Sequence, residues 1–207
     1  MPRSSPSLDM TPMVDLAFLL VTFFMLTSSF RETEPVMVDA PSSTSDIILP
    51  DNVMLITIDT AGRVFYDITG RDTRMALIDR IGETYKVNFT EEQKNRFAIM
   101  SMFGQPVSQL PAYLSADEKK RKEMDAVTKG IPSDSVDNQL ANWIMEGYRA
   151  AAADGANKGV DPKGEKALRF AIKADGKTNY DKVKKVIKTF KDREIFRFNL
   201  ITNIETE

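Results

Sequence analysis

The stretch DMTPMVDLAFLLVTFFMLTSSF, residues 9–30, decides how this chain is organised. From Thr11 to Phe30 its only charged residue is Asp15. An α-helix rises about 1.5 Å per residue, so these residues would extend about 30 Å, the thickness of the hydrocarbon core of a bilayer. We therefore predict a transmembrane helix over residues 11–30.

A signal peptide and a core helix of a soluble domain are the alternatives to a membrane span. A signal peptide needs a basic start and a small-residue cleavage site, whereas only Arg3 precedes this stretch. A core helix has a polar face, but between Leu16 and Leu26 only Thr22 is polar. Both alternatives fit less well than a span. Arg3 on one side balances Arg31 on the other, so the positive-inside rule does not orient the helix.

The composition of the 207 residues limits the chemistry that the chain can perform. The net charge is −2, which gives no electrostatic reason to expect a nucleic-acid partner. Cysteine and histidine are both absent, which removes thiolate chemistry, the commonest general base and the commonest metal ligands. No phosphate-binding loop or metal-ligand spacing is present. We therefore predict no enzymatic activity, no metal site and no cofactor.

Asp15 is the residue of this stretch that needs an explanation, because a carboxylate inside a membrane costs about 2.5–3.5 kcal/mol. At about 100° per residue, Asp15, Thr22, Leu26 and Ser29 lie within about 60° of one another. One hypothesis is that this polar stripe faces a path lined by partner subunits, where Asp15 takes up and releases a proton. The alternative is that Asp15 is solvated near the membrane surface, while Thr22 and Ser29 bond to backbone carbonyls.

Residues 9–25, DMTPMVDLAFLLVTFFM, closely resemble the transmembrane signature of the ExbD/TolR family. Members share Thr-Pro, two apolar residues and Asp, followed by an apolar run that ends near Phe-Met. A carboxylate three residues after proline at the head of a single-pass helix is the specific part of this match. The essential aspartate of the family corresponds to Asp15, and the remaining site prediction is a pore-facing stripe of Thr22 and Ser29.

The resemblance implies a function, a set of partners and an orientation. ExbD-like proteins are bacterial inner-membrane subunits of proton-driven motors that work inside a pentamer of ExbB-like subunits. They are expected to form homodimers and to drive a TonB-like protein, which energises TonB-dependent transport across the outer membrane. The N-terminus would be cytoplasmic and the C-terminal domain periplasmic. The alternatives are a TolR-like role or a membrane-tethered periplasmic module that binds the cell wall or a partner protein.

The predicted fold is that of an α+β membrane protein with one N-terminal transmembrane helix. Residues 1–10 form a cytoplasmic tail, residues 11–30 the transmembrane helix and residues 31–51 an extended, Pro- and Ser-rich linker. Residues 52–207 form a small α/β periplasmic domain, in which residues 86–165 are a helical insertion of unassigned role. The linker resembles the extended post-membrane segment of the family, although a plain spacer would have the same composition.

The two ends of the predicted periplasmic domain contain its strands. The front shows a β-rich strand over 52–59, a hairpin strand over 63–67, and a helix from 73 to 85 that Asp72 can cap. The back, 166–205, shows a strand, a helix and a strand that fit a right-handed crossover. RFAIKADGKTNY, residues 169–180, also resembles the family's strand, Ala-Asp turn and Tyr-led helix. Apolar residues alternate along both back strands: Leu168, Phe170 and Ile172 in the first, and Phe196, Phe198 and Leu200 in the second. The helix between them is predicted from an N-terminal cap at Asn179 and from an apolar face of Tyr180, Val183, Val186, Ile187 and Phe190.

The predicted insertion contains three helices. A capping box at Thr90 opens the first, which Gly104 would close, and a second box at Ser115 opens a charged helix that ends near Gly130. The third helix covers about 136–153, and a loop over 154–166 follows it. The apolar stripe of this third helix includes Trp143, which we expect to pack in a core or an interface. The basic run of the second helix suggests a membrane or nucleic-acid surface, but the flanking acidic residues favour a solvated face.

Overall fold

The computed structural model describes residues 10–27, 42–43, 52–134, 137–159, 167–201 and 203–204. The chain divides into two compact units, Met1–Thr33 and Glu34–Glu207. The predicted linker, 31–51, lies outside the described residues except for 42–43. The predicted domain boundaries therefore stay predictions.

The first unit contains helix α1, which runs from Thr11 to Thr27. Its 17 residues extend about 25 Å along the helix axis. Its first turn closes when the Val14 N–H donates to the Met10 carbonyl oxygen at 3.0 Å. In the part of the chain that the structure describes, no helix is long and apolar enough to cross a membrane. The predicted span over 11–30 is thus not confirmed, and residues 28–30 lie outside the described part.

A four-stranded sheet with the order β3-β2-β4-β5 forms the centre of the second unit. The strands are β2 (Val53–Ile58), β3 (Val64–Ile68), β4 (Arg169–Ala174) and β5 (Asn199–Ile201), and a separate parallel pair joins β1 (Ser42–Ser43) to β6 (Asn203–Ile204). β2 and β3 form an antiparallel hairpin, while β2–β4 and β4–β5 are parallel. The predicted order of strand, strand, helix and then strand, helix, strand is confirmed.

Six helices accompany this sheet in the described part of the second unit. They are α2 (Arg71–Tyr85), α3 (Glu91–Ile99), α4 (Leu110–Ser115), α5 (Glu118–Val127), α6 (Gln139–Asn157) and α7 (Tyr180–Asp192). The Thr90 capping box is confirmed, because the Gln93 N–H donates to Thr90 Oγ1 at 3.3 Å and the Thr90 N–H donates to Gln93 Oε1 at 2.9 Å. α3 nevertheless ends at Ile99, so the prediction that Gly104 closes it is wrong.

Two of the predicted helix caps are wrong for local reasons. α2 begins after Gly70, whose φ of 95° starts the helix, and Asp72 lies in the first turn without capping it. α5 is capped by Asp117, whose Oδ1 accepts from the Lys120 N–H at 2.8 Å. Ser115 is the last residue of α4, a short helix that the sequence analysis missed, so it does not open α5.

α6 begins and ends later than predicted. Asn138 caps it, with Oδ1 accepting from the Ala141 N–H at 3.0 Å, and the helix continues to Asn157. The loop predicted from residue 154 therefore begins too early, and residues 160–166 lie outside the described part. The burial of Trp143 in the core is confirmed.

An aromatic cluster joins the helices of the predicted insertion to the sheet. The ring centroids of Phe103 and Trp143 are 4.7 Å apart, and those of Tyr66 and Trp143 are 5.8 Å apart. Phe97 from α3 packs on both Phe103 and Trp143. The Tyr66 N–H donates to the Phe103 carbonyl oxygen at 2.8 Å, and the Phe103 N–H returns a bond at 3.0 Å. Residues 86–134 and 137–159 thus contribute side chains to the core that the strands use.

The C-terminal elements differ in part from the alternating patterns predicted for them. Asn179 caps α7 as predicted, and Val186 and Phe190 are buried, but Tyr180 is 71% exposed. β5 covers only three residues, and Phe196 precedes it in a loop where it is 72% exposed. The chain reverses at Glu194, which has a φ of 60°, so the strand begins too late to include Phe196.

β4 also differs from its predicted one-sided pattern, because the consecutive residues Phe170, Ala171 and Ile172 are all buried. β4 lies between β2 and β5, with which it pairs in parallel. Central parallel strands are usually covered on both faces, so alternation is not expected along them.

Gly147 provides a test of the aromatic core. A Cβ at this position would overlap the Tyr66 hydroxyl and lie 2.8 Å from Met54 Cε. We expect Gly147→Ala to lower the free energy of unfolding by about 1–3 kcal/mol through overpacking. Denaturant titration of the full chain, followed by the fluorescence of the single tryptophan, Trp143, measures this change.

Tyr66→Phe is the matched second variant, because the Tyr66 hydroxyl is buried without a hydrogen-bond partner among the described residues. Removing this hydroxyl should cost little and should relieve most of the Gly147→Ala overlap. If Gly147→Ala lowers the free energy of unfolding equally in the wild-type and Tyr66→Phe chains, the proposed clash is contradicted.

Candidate functional site

Asp15 lies one helical turn inside α1, and its side chain is exposed. Its neighbours on the helix are apolar and exposed: Leu16, Phe18 and Leu19 have exposed fractions of 58–68%. A carboxyl group in such a setting can accept or release one proton and can accept hydrogen bonds. One helix does not enclose it, so any polar path around it requires surfaces that α1 itself does not supply.

Thr22 lies seven residues after Asp15, which places it about 20° away around the helix and about 10 Å further along it. Its Oγ1 donates toward the Phe18 carbonyl oxygen at 3.0 Å and the Leu19 carbonyl oxygen at 2.9 Å. This is the backbone bonding that the sequence analysis kept as the alternative. The hydroxyl oxygen still has acceptor capacity for a proton-bearing group. Ser29, the third predicted site residue, lies outside the described residues.

A second carboxyl group of interest, Asp125, is the buried residue of α5. Tyr113 Oη donates to its Oδ2 at 2.9 Å, and Gln105 Nε2 donates to its Oδ1 at 3.2 Å. Arg63 Nη1 donates to its main-chain oxygen at 3.2 Å. Burial raises the pKa of the Asp125 carboxyl, while the bonds from Tyr113 and Gln105 and the charges of Arg121 and Arg63 oppose that rise.

Asp125 is therefore a positioning group that attaches a highly charged helix to the domain. The Asp59 carboxylate extends the network, because its Oδ2 accepts from Arg63 Nε at 2.5 Å. A groove of about 280 Å³ beside α5 has a single charged residue, Lys129, in its lining. Within the described residues, no group of three or more His, Cys, Asp or Glu could hold a metal ion. These groups hold structure in place and show no arrangement for catalysis.

The sequence analysis missed Asp125, and one signal could have revealed it. In α5 the positions that would face a core at helical spacing include Arg121, Asp125 and Thr128, so this helix has no apolar stripe. A helix without such a stripe relies on polar groups for its attachment, here beside a single partly buried Met124 that packs against the core. The partner Tyr113 lies in α4, the helix that was not predicted.

The features on α1 and in the second unit define a class of protein: an apolar helix with one carboxylate, joined to a small mixed α/β domain. The family model described as Biopolymer transport protein ExbD/TolR matches residues 1–205, so the chain belongs to the ExbD/TolR family. A search of curated proteins and a search of solved structures each found no match.

Membership of this family establishes the general role. ExbD/TolR proteins are inner-membrane proteins with periplasmic domains, and they act in energy transduction for biopolymer transport. They work with ExbB- or TolQ-like partners. They are not known as enzymes.

The buried Asp125 predicts a pH dependence of stability. Burial raises its folded-state pKa above the ordinary aspartate value of 3.8, so the folded chain binds a proton more tightly than the unfolded chain. The contribution of Asp125 to stability is fully present below about pH 4 and decreases as pH rises through the raised pKa. Denaturant titrations of the full chain across this pH range should show the decrease.

Asp125→Asn preserves the shape of the side chain and removes the titration. The difference in the free energy of unfolding between wild type and this variant should therefore change with pH. Parallel stability curves for wild type and Asp125→Asn would contradict the assignment.

Proposed function

We propose that this chain is the ExbD-like, proton-coupled subunit of an ExbB–ExbD motor that energises TonB-dependent transport across the outer membrane. Residues 11–30 cross the inner membrane once, with the N-terminus in the cytoplasm and residues 52–207 in the periplasm. The observation that carries the proposal is Asp15, a lone carboxylate on an apolar helix in a chain that has neither histidine nor cysteine.

The proposed mechanism uses the difference between the two protonation states of Asp15. In a site lined by partner helices, the charged carboxylate costs about 2.5–3.5 kcal/mol, and protonation removes most of that cost. The neutral form can pass an apolar partner surface, and loss of the proton on the far side prevents return. Each proton that crosses delivers about 2.3 kcal/mol per 100 mV of membrane potential.

The exposed apolar side chains of α1 support a need for partners. Phe18, Phe23 and Phe24 are each at least 60% exposed, so this surface requires lipid or other helices around it. We propose that a pentamer of ExbB-like subunits surrounds a homodimer of this chain. Movement of the helix is transmitted through residues 31–51 to the periplasmic domain and from there to a TonB-like protein.

Asp15→Asn tests the proposal directly, because the amide has the same shape but carries no titrating proton. We expect normal expression and normal membrane insertion, with loss of TonB-dependent uptake in cells whose only ExbD-like subunit is this chain. Asp15→Glu keeps a titratable group and should retain part of the uptake. Asp192→Asn, an exposed change in the second unit, is the matched control. Full uptake with Asp15→Asn would refute the mechanism.

Thr22 and Ser29 are proposed to extend the polar stripe along which the proton moves. Thr22→Val keeps the side-chain shape and removes the hydroxyl acceptor that lies about 10 Å beyond Asp15. We expect proton flux through the reconstituted motor to fall severalfold, whereas Val21→Thr, on a different side of α1, should leave it unchanged. Unchanged flux with Thr22→Val would mean that its hydroxyl serves only the helix backbone.

A TolR-like role or a membrane-tethered binding module is the second candidate function. The observation that favours it is that the Thr22 hydroxyl donates to backbone carbonyl oxygens of its own helix. With Thr22 bonded in this way, Asp15 is the main polar side chain described on α1, and a continuous polar stripe is less complete. If the chain is a membrane-tethered binding module in which Asp15 is incidental, an unrelated membrane anchor could replace residues 11–30 without loss of function, whereas a TolR-like role that uses proton flow lies between this hypothesis and the motor. Loss of function after such a replacement, with the periplasmic domain still folded, would support the motor.

A further inference from the structure

The C-terminal helical segment carries an unusual share of the positive charge of the chain. Residues 177–197 contain eight basic and three acidic residues, a net charge of +5 in a chain whose net charge is −2. The rest of the chain is therefore acidic. This segment includes α7 and the loop that follows it.

Three lysines of α7, Lys184, Lys188 and Lys191, form a stripe on the exposed side of the helix. Their spacing of four and three residues places them within about 60° of one another. All three are exposed, and the exposed Tyr180 lies at the head of the same face. We call Lys184, Lys188 and Lys191 the lysine stripe.

The opposite side of α7 is fixed to the domain core. Val186, Thr189 and Phe190 are buried, and the ring centroids of Phe190 and Phe170 are 5.8 Å apart. Asn138 Nδ2 donates to Thr189 Oγ1 at 3.4 Å, which links α7 to the start of α6. The helix is thus a firm support that presents its lysines outward.

The lysine stripe has no ion-pair partner among the described residues, in contrast to the neighbouring Lys185, whose Nζ lies 3.8 Å from Asp134 Oδ1.

The lysines of α5 differ from the lysine stripe in their local charge balance. Lys119, Lys120 and Lys122 are also exposed, but acidic residues flank them on both sides, and Lys122 pairs with Glu118 at 2.9 Å. The positive charge of α5 is balanced locally, and that of the stripe is not.

We propose that the lysine stripe binds the headgroups of anionic phospholipids. This inference rests on the proposed function in one respect: residues 11–30 would anchor the chain in a bilayer and hold the domain near it. The lysine stripe would then meet lipid headgroups at a high effective concentration. Lysine is a compact point charge, which suits a fluid array of phosphates better than one rigid ligand. The exposed Tyr180 adds an aromatic side chain of the kind that is enriched at membrane–water interfaces.

The strength of such binding follows from the number of lysines. Each basic residue near an anionic surface strengthens association by about fivefold, so three contribute on the order of 100-fold. The interaction is also sensitive to salt, because the screening length falls to less than half its physiological value at about 1 M.

The test uses the full chain in lipid vesicles. Because the chain has no cysteine, Asp192→Cys provides a single attachment point for a fluorophore beside the stripe. Collisional quenching by spin-labelled lipid then reports whether α7 lies at the bilayer surface. We expect quenching in vesicles with about one third phosphatidylglycerol, and little in phosphatidylcholine alone or at about 1 M salt.

The lysine-stripe variant Lys184→Glu, Lys188→Glu, Lys191→Glu should abolish the quenching. The matched control, Lys119→Glu, Lys120→Glu, Lys122→Glu, makes the same charge change on α5 and should keep it. Equal quenching with and without phosphatidylglycerol, or equal loss in both variants, would overturn the proposal. If the stripe variant loses transport while quenching is unchanged, the lysines bind an acidic protein and the lipid assignment is wrong.

A separate measurement distinguishes failure of this inference from failure of the proposed function. Extraction of the vesicles at high pH releases a chain that is not inserted. A chain that resists extraction but shows no lipid-dependent quenching overturns only the docking proposal. Release of the chain would show that it is not inserted and would contradict the proposed transmembrane span.

Discussion

Tyr66 and Phe103 exchange two backbone hydrogen bonds, and the packing of the second unit depends on this pairing. It attaches the helical segment to the edge of the hairpin, and Trp143 packs on both rings. The Ile131 N–H also donates to the Val64 carbonyl oxygen at 2.9 Å, so the two contacts together cover β3, which would otherwise be an open edge strand. Residues 86–134 and 137–159, within the span predicted as a helical insertion, therefore contribute to the same core as the sheet.

The chain places two carboxyl groups in contrasting settings. Asp15 lies exposed on an apolar helix, so groups outside that helix would have to form any site around it. Asp125 finds its partners within the domain, in Tyr113, Gln105 and Arg63. The first setting suits a group whose environment changes during a cycle, and the second suits a group that fixes an element in one position.

The sequence predicted the order of strands because that order depends on local and periodic signals, whereas the site predicted on α1 stays a prediction. The β-rich run near residue 55, the Thr90 capping box and the Asn179 cap each act within a few residues. The errors arose where distant contacts decide the outcome. Burial on both faces of β4 depends on its two parallel neighbours, and the attachment of α5 depends on a tyrosine in a helix too short to give a periodic signal.

The parallel pairing of β2 with β4 has a consequence for how the domain is made. Val53 pairs with Arg169, 116 positions later in the chain, so the sheet stays incomplete until β4 and β5, as far as Ile201, have been synthesised. Such distant pairing is slow to form, and an open hairpin edge invites association with other chains in the meantime. A nascent chain of this protein therefore depends on residues 169–201 to become resistant to aggregation, and termination of translation before them would release a species with an unprotected edge.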